Sequence, residues 1–360
     1  MVRISGTRPW RMEEAHALNI EPVLEIKGLS VSFRINDQYH PAVDHLDLTV
    51  NPNEVLAVVG ESGCGKSALA LSIPQLHDME RTRVEGEVLF KGTDLIRLSS
   101  AQMNKIRGAG IGMIFQDPLT ALNPLMSIGK QIEENLDYHT SLSTKQKRER
   151  VLELLESVDI PNPVRVYEQY PHELSGGMRQ RVMIAIAIAC RPSLIIADEP
   201  TTALDVTIQS QILDLLKQLQ QETGSGIILI THDLGVVAEV ADRVVVMYAG
   251  EIVESADVFE LFRHPLHPYT RSLLASMPGS HTKGETLHVI GGMVPSLQDI
   301  PRNSCRFAPR IPWIQQGMHE DHPQLNEISP GHWVRCTCYQ HFHFEDETKG
   351  EAAHGTTGAK

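Results

Sequence analysis

One glycine-rich segment of the sequence contains the residue types that bind phosphate. The segment consists of Gly60, Glu61, Ser62, Gly63, Cys64, Gly65, Lys66 and Ser67. It matches the pattern G-x-x-x-x-G-K-[ST], in which backbone N–H groups at the start of a helix surround the phosphates of a nucleotide. Lysine neutralises phosphate charge, and the serine hydroxyl binds Mg²⁺. The segment therefore predicts a site for a nucleoside triphosphate and Mg²⁺, against the alternative of a simple glycine-rich turn.

Cys64 lies inside this loop, and its role has two interpretations. A small side chain could fill a position that suits serine, or a thiol beside an anion site could be sensitive to oxidation. We favour the packing role.

A pair of carboxylates follows a second apolar run. Asp198 and Glu199 lie near the end of the segment LIIADEP. Beside a phosphate loop, Asp198 can hold the water shell of Mg²⁺ and Glu199 can polarise an attacking water. A solvated turn is the alternative for such a pair at the end of a strand. We favour the catalytic interpretation because the strand, the phosphate loop and a crossover place the pair at one edge of a parallel sheet.

Three apolar segments must position these residues. Residues 55–60, 194–198 and 227–232 are almost entirely apolar, as is typical of parallel strands buried on both faces. A helical stripe at residues 208–219 joins the last two, which predicts a strand-helix-strand crossover. Residues 23–33 and 45–50 predict further strands, and residues 144–160 predict an amphipathic helix capped by Ser143 or Thr144. The fold class is therefore α/β, with a P-loop core.

Composition narrows the class of protein. The chain has 360 residues, enough for two domains, and a formal charge of −13, which disfavours a protein that grips a nucleic-acid backbone. The longest apolar run, residues 182–190, is too short to cross a bilayer, and the first twenty residues lack the apolar stretch of a secretory signal. We therefore expect a cytosolic location. Five scattered cysteines do not form a disulfide framework.

Further motifs complete a set in fixed order. They are Gln116 in MIFQDP, the segment LSGGMRQR from residue 174, TALD at residues 202–205 and His232 in LITHD. With the phosphate loop and the carboxylate pair, this set resembles the nucleotide-binding subunit of an ABC transporter over residues 23–257. The resemblance implies a P-loop NTPase core (a RecA-like parallel sheet), an antiparallel β lobe and a helical subdomain at about residues 117–180.

The resemblance also implies an ATP site shared between two subunits. Ser175, Gly176, Gly177 and Gln180 would present a helix start to the γ-phosphate bound by the partner subunit. The preference of helix N-termini for anions supports this use. Asp205 would link the two sites across the dimer.

Other residues match the family's roles around the γ-phosphate. Gln116 is similar to the sensor of Mg²⁺ and water, Glu199 to the general base and His232 to the γ-phosphate switch. Since none of these motifs is degenerate, we expect ATP hydrolysis and not binding alone. The family also stacks adenine on an aromatic residue. Phe33 fits by position, Tyr39 lies in the adjoining loop, and core packing is the alternative for Phe33.

Two segments look like the oligopeptide/dipeptide importer branch of this family. They are QDPLTALNP at residues 116–124 and HPLHPYTRSLLASMP at residues 264–278, the latter followed by VPSL. Members of the branch carry a C-terminal extension, which we expect as a separate small domain at residues 258–343. We expect a disordered lead-in at residues 1–22 and a tail at residues 344–360.

The branch implies a motor that acts through other proteins. The expected partners are two transmembrane permease subunits, a second homologous ATPase and an extracellular solute-binding protein, with the chain at the cytoplasmic face of the membrane. Peptides are the expected cargo, and nickel or another small solute is the alternative. A soluble ATPase of nucleic acid or ribosomes would resemble two cassettes or carry inserted modules, which the sequence lacks, so we expect no nucleic-acid partner.

The extension of this branch commonly carries four cysteines, in a pattern similar to an iron–sulfur ligand set. Here Cys305 and Cys336 match, but Ile311 and Met318 stand at two of the cysteine positions. Because two thiolates do not supply four ligands, we expect no iron–sulfur cluster.

The segment CTCYQHFH offers a different set of donors, namely Cys336, Cys338, His341 and His343. The spacing C-x-C-x₂-H-x-H could bind a transition metal. Alternatively, alternate residues simply share one face of a strand, as the remnant of a cluster-binding fold. We favour the remnant.

Overall fold

The computed structural model describes residues 21–202, 204–277 and 289–345. The lead-in predicted at residues 1–22 and the tail predicted at residues 344–360 fall outside this part of the chain, except for residues 21–22 and 344–345. The strands are β1 (Leu24–Ile35), β2 (Gln38–Val50), β3 (Val55–Val59), β4 (Thr82–Phe90), β5 (Thr93–Asp94), β6 (Ile111–Ile114), β7 (Leu194–Asp198), β8 (Gly226–Thr231), β9 (Arg243–Tyr248), β10 (Glu251–Asp257), β11 (Leu325–Ser329) and β12 (His332–Arg335).

The described residues also form α-helices. They are α1 (Lys66–Ser72), α2 (Ser100–Asn104), α3 (Pro118–Ala121), α4 (Ile128–His139), α5 (Thr144–Ser157), α6 (Pro163–Glu168), α7 (Gly176–Ile188), α8 (Val206–Thr223), α9 (Leu234–Val240), α10 (Val258–Arg263) and α11 (Pro268–Ala275). Among the described helices, none combines the length and apolar character needed to span a bilayer.

An antiparallel sheet of strand order β2-β1-β4-β5 forms one lobe. Strand β2 is longer than the sequence predicts, because its first residues are exposed and show no apolar alternation. The pairing of Leu24 with Val50 and of Ile35 with Gln38 fixes the register of β1 and β2.

The central sheet has the order β11-β12-β10-β9-β3-β8-β7-β6. Strands β9, β3, β8, β7 and β6 run parallel. Every residue of β3, β7 and β8 is buried, which explains why these strands are apolar runs without alternation. Because β3 and β7 each pair with β8, the loops that follow these strands lie at one edge of the sheet.

Helices α3 to α6 form a helical layer against α7, and α4, α5 and α6 share a buried apolar core with it. The predicted amphipathic helix is confirmed as α5, and Ser143 is its cap. The hydroxyl of Ser143 accepts a hydrogen bond from the backbone N–H of Gln146, while the Gln146 side chain accepts from the Ser143 N–H. This capping box satisfies two backbone donors at the start of the helix.

The C-terminal extension continues the central sheet. Strand β12 pairs antiparallel with β10, with Glu254 opposite Val334. Cys305, Phe307 and Ile311 join β9 and β10 in one buried apolar cluster. The extension therefore shares a sheet and a core with the preceding unit, which differs from the separate small domain suggested by its composition. The reason is that β10 offers an edge that β12 covers.

A buried histidine connects the extension to this sheet. The Nε2 of His332 lies 2.8 Å from Oε1 of Glu254, whose side chain is fully buried. Burial lowers the pKa of His332, but the carboxylates of Glu254 and Glu260 outweigh it and leave the pKa raised. The charged pair thus stabilises the fold below the ordinary histidine pKa of about 6.5 and loses that effect as the pH rises through the folded-state value.

We expect the His332→Gln variant to be less stable than the natural chain by about 3 kcal/mol at low pH, because Glu254 loses its buried cationic partner. The difference in unfolding free energy should shrink as the pH rises above the folded-state pKa of His332. Denaturant unfolding at a series of pH values measures it. The exposed His172 supplies the control variant His172→Gln, and a His332→Gln effect that does not change with pH would contradict this explanation.

Candidate active site

The predicted phosphate loop connects β3 to α1, and glycine is required at two of its positions. Gly60 and Gly65 have φ values of 153° and 107°. A Cβ atom on Gly60 would lie 2.3 Å from the backbone oxygen of Met247, and one on Gly65 would lie 2.4 Å from that of Ala42. The loop therefore folds tightly against neighbouring backbone in a conformation that only glycine adopts without strain.

The lysine of this loop is held inside it. The Nζ of Lys66 donates hydrogen bonds to the backbone oxygens of Gly60 at 2.8 Å and Glu61 at 3.0 Å. Only 5% of the Lys66 residue is exposed. A buried ammonium among backbone N–H groups at a helix start forms a cradle for an anion, so this loop fits the phosphates of a nucleotide.

Cys64 is completely buried under the same loop. Burial raises the pKa of its thiol, and the nearby Lys66 ammonium only partly opposes this effect. A buried, protonated thiol favours the packing role over a redox-sensitive one.

Two of the residues predicted to bind Mg²⁺ lie together, Ser67 in the first turn of α1 and Asp198 at the end of β7. The hydroxyl of Ser67 donates a hydrogen bond to Oδ1 of Asp198 at 3.3 Å. Burial raises the pKa of Asp198, the Ser67 hydrogen bond lowers it, Glu199 raises it and Lys66 lowers it, with a net upward shift. A hydroxyl and a carboxylate oxygen are ligands that a hard cation prefers, so the pair fits Mg²⁺.

The predicted catalytic residues Gln116 and His232 both contact Glu199. Its Oε2 accepts hydrogen bonds from Nε2 of Gln116 at 3.0 Å and from the hydroxyl of Thr202 at 2.8 Å. Its Oε1 lies 3.4 Å from Nδ1 of His232. Glu199 has a φ of 46°, an uncommon conformation for a residue with a side chain and one found preferentially at functional sites. The arrangement fixes one carboxylate oxygen by two donors and places an imidazole beside the other.

The residues predicted to face the γ-phosphate of the partner subunit begin at the start of helix α7. Ser175 is its N-cap, and its hydroxyl accepts a hydrogen bond from the backbone N–H of Met178 at 3.3 Å. A Cβ added to Gly176 would meet no atom within 4 Å, while one added to Gly177 would lie 3.1 Å from Cγ2 of Ile208. Ser175 and Gly176 are exposed, so the helix start is accessible to a ligand.

The remaining predicted residues have different settings. Gln180 is only 2% exposed, and its Nε2 has no hydrogen-bond partner among the described residues. It therefore lies beneath the exposed helix start formed by Ser175 and Gly176. Asp205 precedes α8 at the N-cap position but makes no side-chain cap bond.

The two aromatic candidates for adenine stacking lie on the antiparallel lobe. The ring of Phe33 packs edge to face on His77, with centroids 5.6 Å apart. Tyr39 is 37% exposed, and the guanidinium of Arg83 lies 4.6 Å from its ring centroid. Phe33 also contacts the apolar core of the lobe, so packing accounts for part of its environment.

Two residues of the extension that no motif in the sequence indicates hold the phosphate loop. The backbone N–H of Glu61 donates a hydrogen bond to the hydroxyl of Tyr269 at 2.7 Å. The guanidinium of Arg310 lies 2.5 Å from a carboxylate oxygen of Glu61. Tyr269 lies in a segment that looks like the importer branch, but no spacing rule connects Tyr269 or Arg310 to a position more than two hundred residues away.

We expect Tyr269→Phe to lower the unfolding free energy by about 1–3 kcal/mol, because it leaves the partly buried Glu61 N–H without its partner. It should also weaken ATP binding, since Glu61 belongs to the phosphate loop. Denaturant unfolding and a nucleotide titration measure the two effects.

Tyr138→Phe is the control for this substitution. It removes the same hydroxyl from a tyrosine that is 62% exposed and lies outside the phosphate loop. Equal losses in the two variants would show that the Tyr269 hydroxyl does not support the loop.

The cysteines of the extension form a cluster that sequence analysis did not predict. Cys305, His319, Cys336 and Cys338 place one donor atom each within 4.8 Å of all the others. Spacing in the sequence counts two remaining ligands, Cys305 and Cys336, and the structure places Cys338 and His319 beside them. The absence of an iron–sulfur cluster stays a prediction. Ile311 is a buried core residue, and Met318 is 37% exposed.

Of the four possible donors in CTCYQHFH, Cys336 and Cys338 belong to this cluster, whereas His341 and His343 do not. The segment is not a strand with a shared face. It forms a 3₁₀ helix at Thr337–Gln340.

Comparisons with known proteins agree with this geometry. The sequence profile of the ABC transporter family matches residues 43–202, and that of the oligopeptide/dipeptide transporter C-terminal region matches residues 253–316. The chain is 53% identical over 328 residues to the oligopeptide transport ATP-binding protein OppD of Lactococcus lactis subsp. cremoris, covering 91% of this chain and 97% of the relative. It is 50% identical over 332 residues to a protein of Brucella ovis named as a peptide import ATP-binding protein, covering 89% and 98%.

Solved structures show the same likeness. A dimeric ATP-binding cassette in a post-hydrolysis state, bound to ADP and Pi, superposes with a TM-score of 0.59 at 30% identity, over 65% of this chain and 98% of the other. The cassette cbiO1 of Clostridium perfringens gives 0.58 at 28% identity, over 68% and 92%.

The parallel sheet, the phosphate loop beside an Asp-Glu pair and the antiparallel lobe define a P-loop nucleoside triphosphatase. The extent of the sequence identity then settles the family. This chain belongs to the ATP-binding subunits of ABC transporters, and its enzymatic activity is ATP hydrolysis coupled to transport.

Proposed function

We propose that this chain is the ATP-hydrolysing motor subunit of a membrane importer for peptides. The observation that carries the proposal is the convergence of Gln116, Thr202 and His232 on Glu199, beside the phosphate loop, in a chain whose extension matches the oligopeptide/dipeptide transporter region. The names of the two relatives reported above support peptides as the cargo. The motor unit covers residues 23–257, and the extension covers residues 258–343.

Each ATP site is shared between two ATPase subunits. One subunit holds the phosphates with Lys66 and the surrounding backbone, and the partner presents the start of helix α7 at Ser175 and Gly176. The exposure of this helix start supports the arrangement, because its N–H groups need an acceptor. Asp205 links the two sites. Adenine stacks on Phe33 or on Tyr39.

The residues around Glu199 have separate roles in ATP hydrolysis. Mg²⁺ bound by Ser67, Asp198 and Gln116 would neutralise charge on the phosphate oxygens. Glu199 accepts the proton of the attacking water, and the hydrogen bonds from Gln116 and Thr202 orient its carboxylate. His232, on the other side of the carboxylate, responds to the γ-phosphate.

The motor works in a complex at the cytoplasmic face of the membrane. Its partners are two permease subunits, a second homologous ATPase and an extracellular solute-binding protein. ATP closes the two ATPase subunits on each other and hydrolysis opens them, and this movement drives uptake through the permeases.

A deletion strain tests the assignment of cargo. We expect loss of growth when defined oligopeptides are the sole source of a required amino acid, restored by the natural chain but not by the Glu199→Gln variant. Growth on the free amino acid is the control. A strain that grows normally on peptides but fails under nickel limitation would replace the peptide cargo with nickel, and co-purification of the chain with RNA and not with membranes would overturn the transport function.

A further inference from the structure

Four donor atoms from three separate segments of the extension meet at one point. They belong to Cys305, His319, Cys336 and Cys338, and all lie within 4.8 Å of one another. The three cysteines are buried and none forms a disulfide. None of these four residues is among those assigned to ATP hydrolysis above.

The spacing of the donors fits a single metal ion. Tetrahedral Zn²⁺ with Zn–S distances of about 2.3 Å places its sulfur ligands about 3.8 Å apart, and the donors here lie within 4.8 Å of one another. An iron–sulfur cluster puts several iron and sulfide atoms between its thiolates and so requires ligands spread more widely. Three thiols and one imidazole are also a set typical of structural zinc sites.

The histidine provides a second, independent observation. Both ring nitrogens of His319 are buried, and neither has a hydrogen-bond partner among the described residues. An imidazole without partners is costly to bury, whereas a metal ion would satisfy the nitrogen that faces the cysteines. In addition, the backbone N–H of Glu320 donates a hydrogen bond to Sγ of Cys336 at 3.5 Å. Such an N–H···S bond stabilises a metal-bound thiolate.

We propose that Cys305, His319, Cys336 and Cys338 bind one divalent metal ion of the zinc class in a closed, structural site. Four protein donors leave no position open for substrate, so the ion supports the fold of the extension and takes no part in ATP hydrolysis. The ion joins the segment containing Cys305 to the end of strand β12.

The location of Cys305 indicates which contacts the bound ion would stabilise. The next residue, Arg306, donates a hydrogen bond to the backbone oxygen of Ala249 and pairs with Asp44 and Glu251 of the ATPase unit. Arg310, a few residues further, pairs with Glu61 of the phosphate loop. Fixing Cys305 therefore holds the segment that contacts both the sheet and the loop.

Metal analysis of the full chain tests the proposal. The chain is purified with a tag that contains no histidine and without chelators, and zinc, iron and acid-labile sulfide are then measured. We expect about one zinc per chain and no sulfide. The variants Cys338→Ser and His319→Ala should lose most of the zinc. Cys190→Ser, at a cysteine outside the cluster, is the matched control and should keep it.

A spectroscopic measurement on the natural chain covers the case in which the variants fail to fold. Cobalt substituted for zinc should show the intense visible bands of a tetrahedral, thiolate-bound ion. Chain with no bound metal and no such cobalt spectrum would overturn the proposal. Iron and sulfide together in the amounts of a cluster would overturn it as well.

Discussion

Replacing Glu199 with Gln should lower the rate of ATP hydrolysis in the assembled transporter by about 10²–10⁴-fold, the contribution typical of a general base. The substitution keeps the shape of the side chain and its capacity to accept the hydrogen bonds of Gln116 and Thr202. It removes the carboxylate that takes the proton from water. ATP binding should remain close to that of the natural chain, because Lys66 and the loop backbone are untouched.

The measurement is a comparison of ATPase rate and nucleotide affinity in the same preparation. Glu239→Gln removes the same charge at an exposed position and is the control. If Glu199→Gln abolished ATP binding together with hydrolysis, its role would be structural, and an unchanged rate would assign the base to another residue.

Replacing Gly176 with Asp should have an effect of similar size through the partner's site. A Cβ at this position meets no atom within 4 Å, so the folded chain tolerates the new side chain. A carboxylate in the first turn also stabilises a helix by about 0.3–1 kcal/mol. In the shared ATP site, however, the same carboxylate would face the γ-phosphate held by the other subunit. Like-charge repulsion should then lower hydrolysis by about 10²–10³-fold, the loss typical when one anion-stabilising group is removed.

The Gly176→Ala variant adds a Cβ atom without a charge, so it distinguishes the effect of the charge on hydrolysis from the effect of side-chain size. The alanine variant should retain most of the activity, and both variants should unfold at or above the temperature of the natural chain. Normal hydrolysis by Gly176→Asp would mean that the start of helix α7 does not contact a phosphate.

The parts of the fold that the sequence predicts are those with local signals. Strands β3, β7 and β8 are buried on both faces, and this burial requires a continuous run of apolar residues in the sequence. The phosphate loop requires glycine at Gly60 and Gly65 because neighbouring backbone leaves no room for a Cβ atom. In these cases the structural requirement applies to residues that are close together in the sequence, so it produces a pattern that can be recognised there.

The parts that the sequence did not predict depend on contacts between distant segments. Tyr269 and Arg310 support Glu61 only because the extension folds back onto the loop. His319 joins the cysteines from a segment of its own, next to the position where Met318 replaces a cysteine, so counting ligands by spacing missed it. Thr202 is only three residues from its partner in the sequence. Its hydroxyl donates a hydrogen bond to Glu199 within a turn whose conformation the sequence does not predict.

The most direct test of the central claim is uptake of a labelled oligopeptide by the purified complex in proteoliposomes, with ATP supplied on the side of the ATPase subunits. The complex contains this chain, its second ATPase, both permeases and the solute-binding protein. We predict accumulation of peptide that requires ATP and is lost with Glu199→Gln in this chain. ATP hydrolysis by the natural complex without any movement of peptide would contradict the assignment of this chain as the motor of a peptide importer.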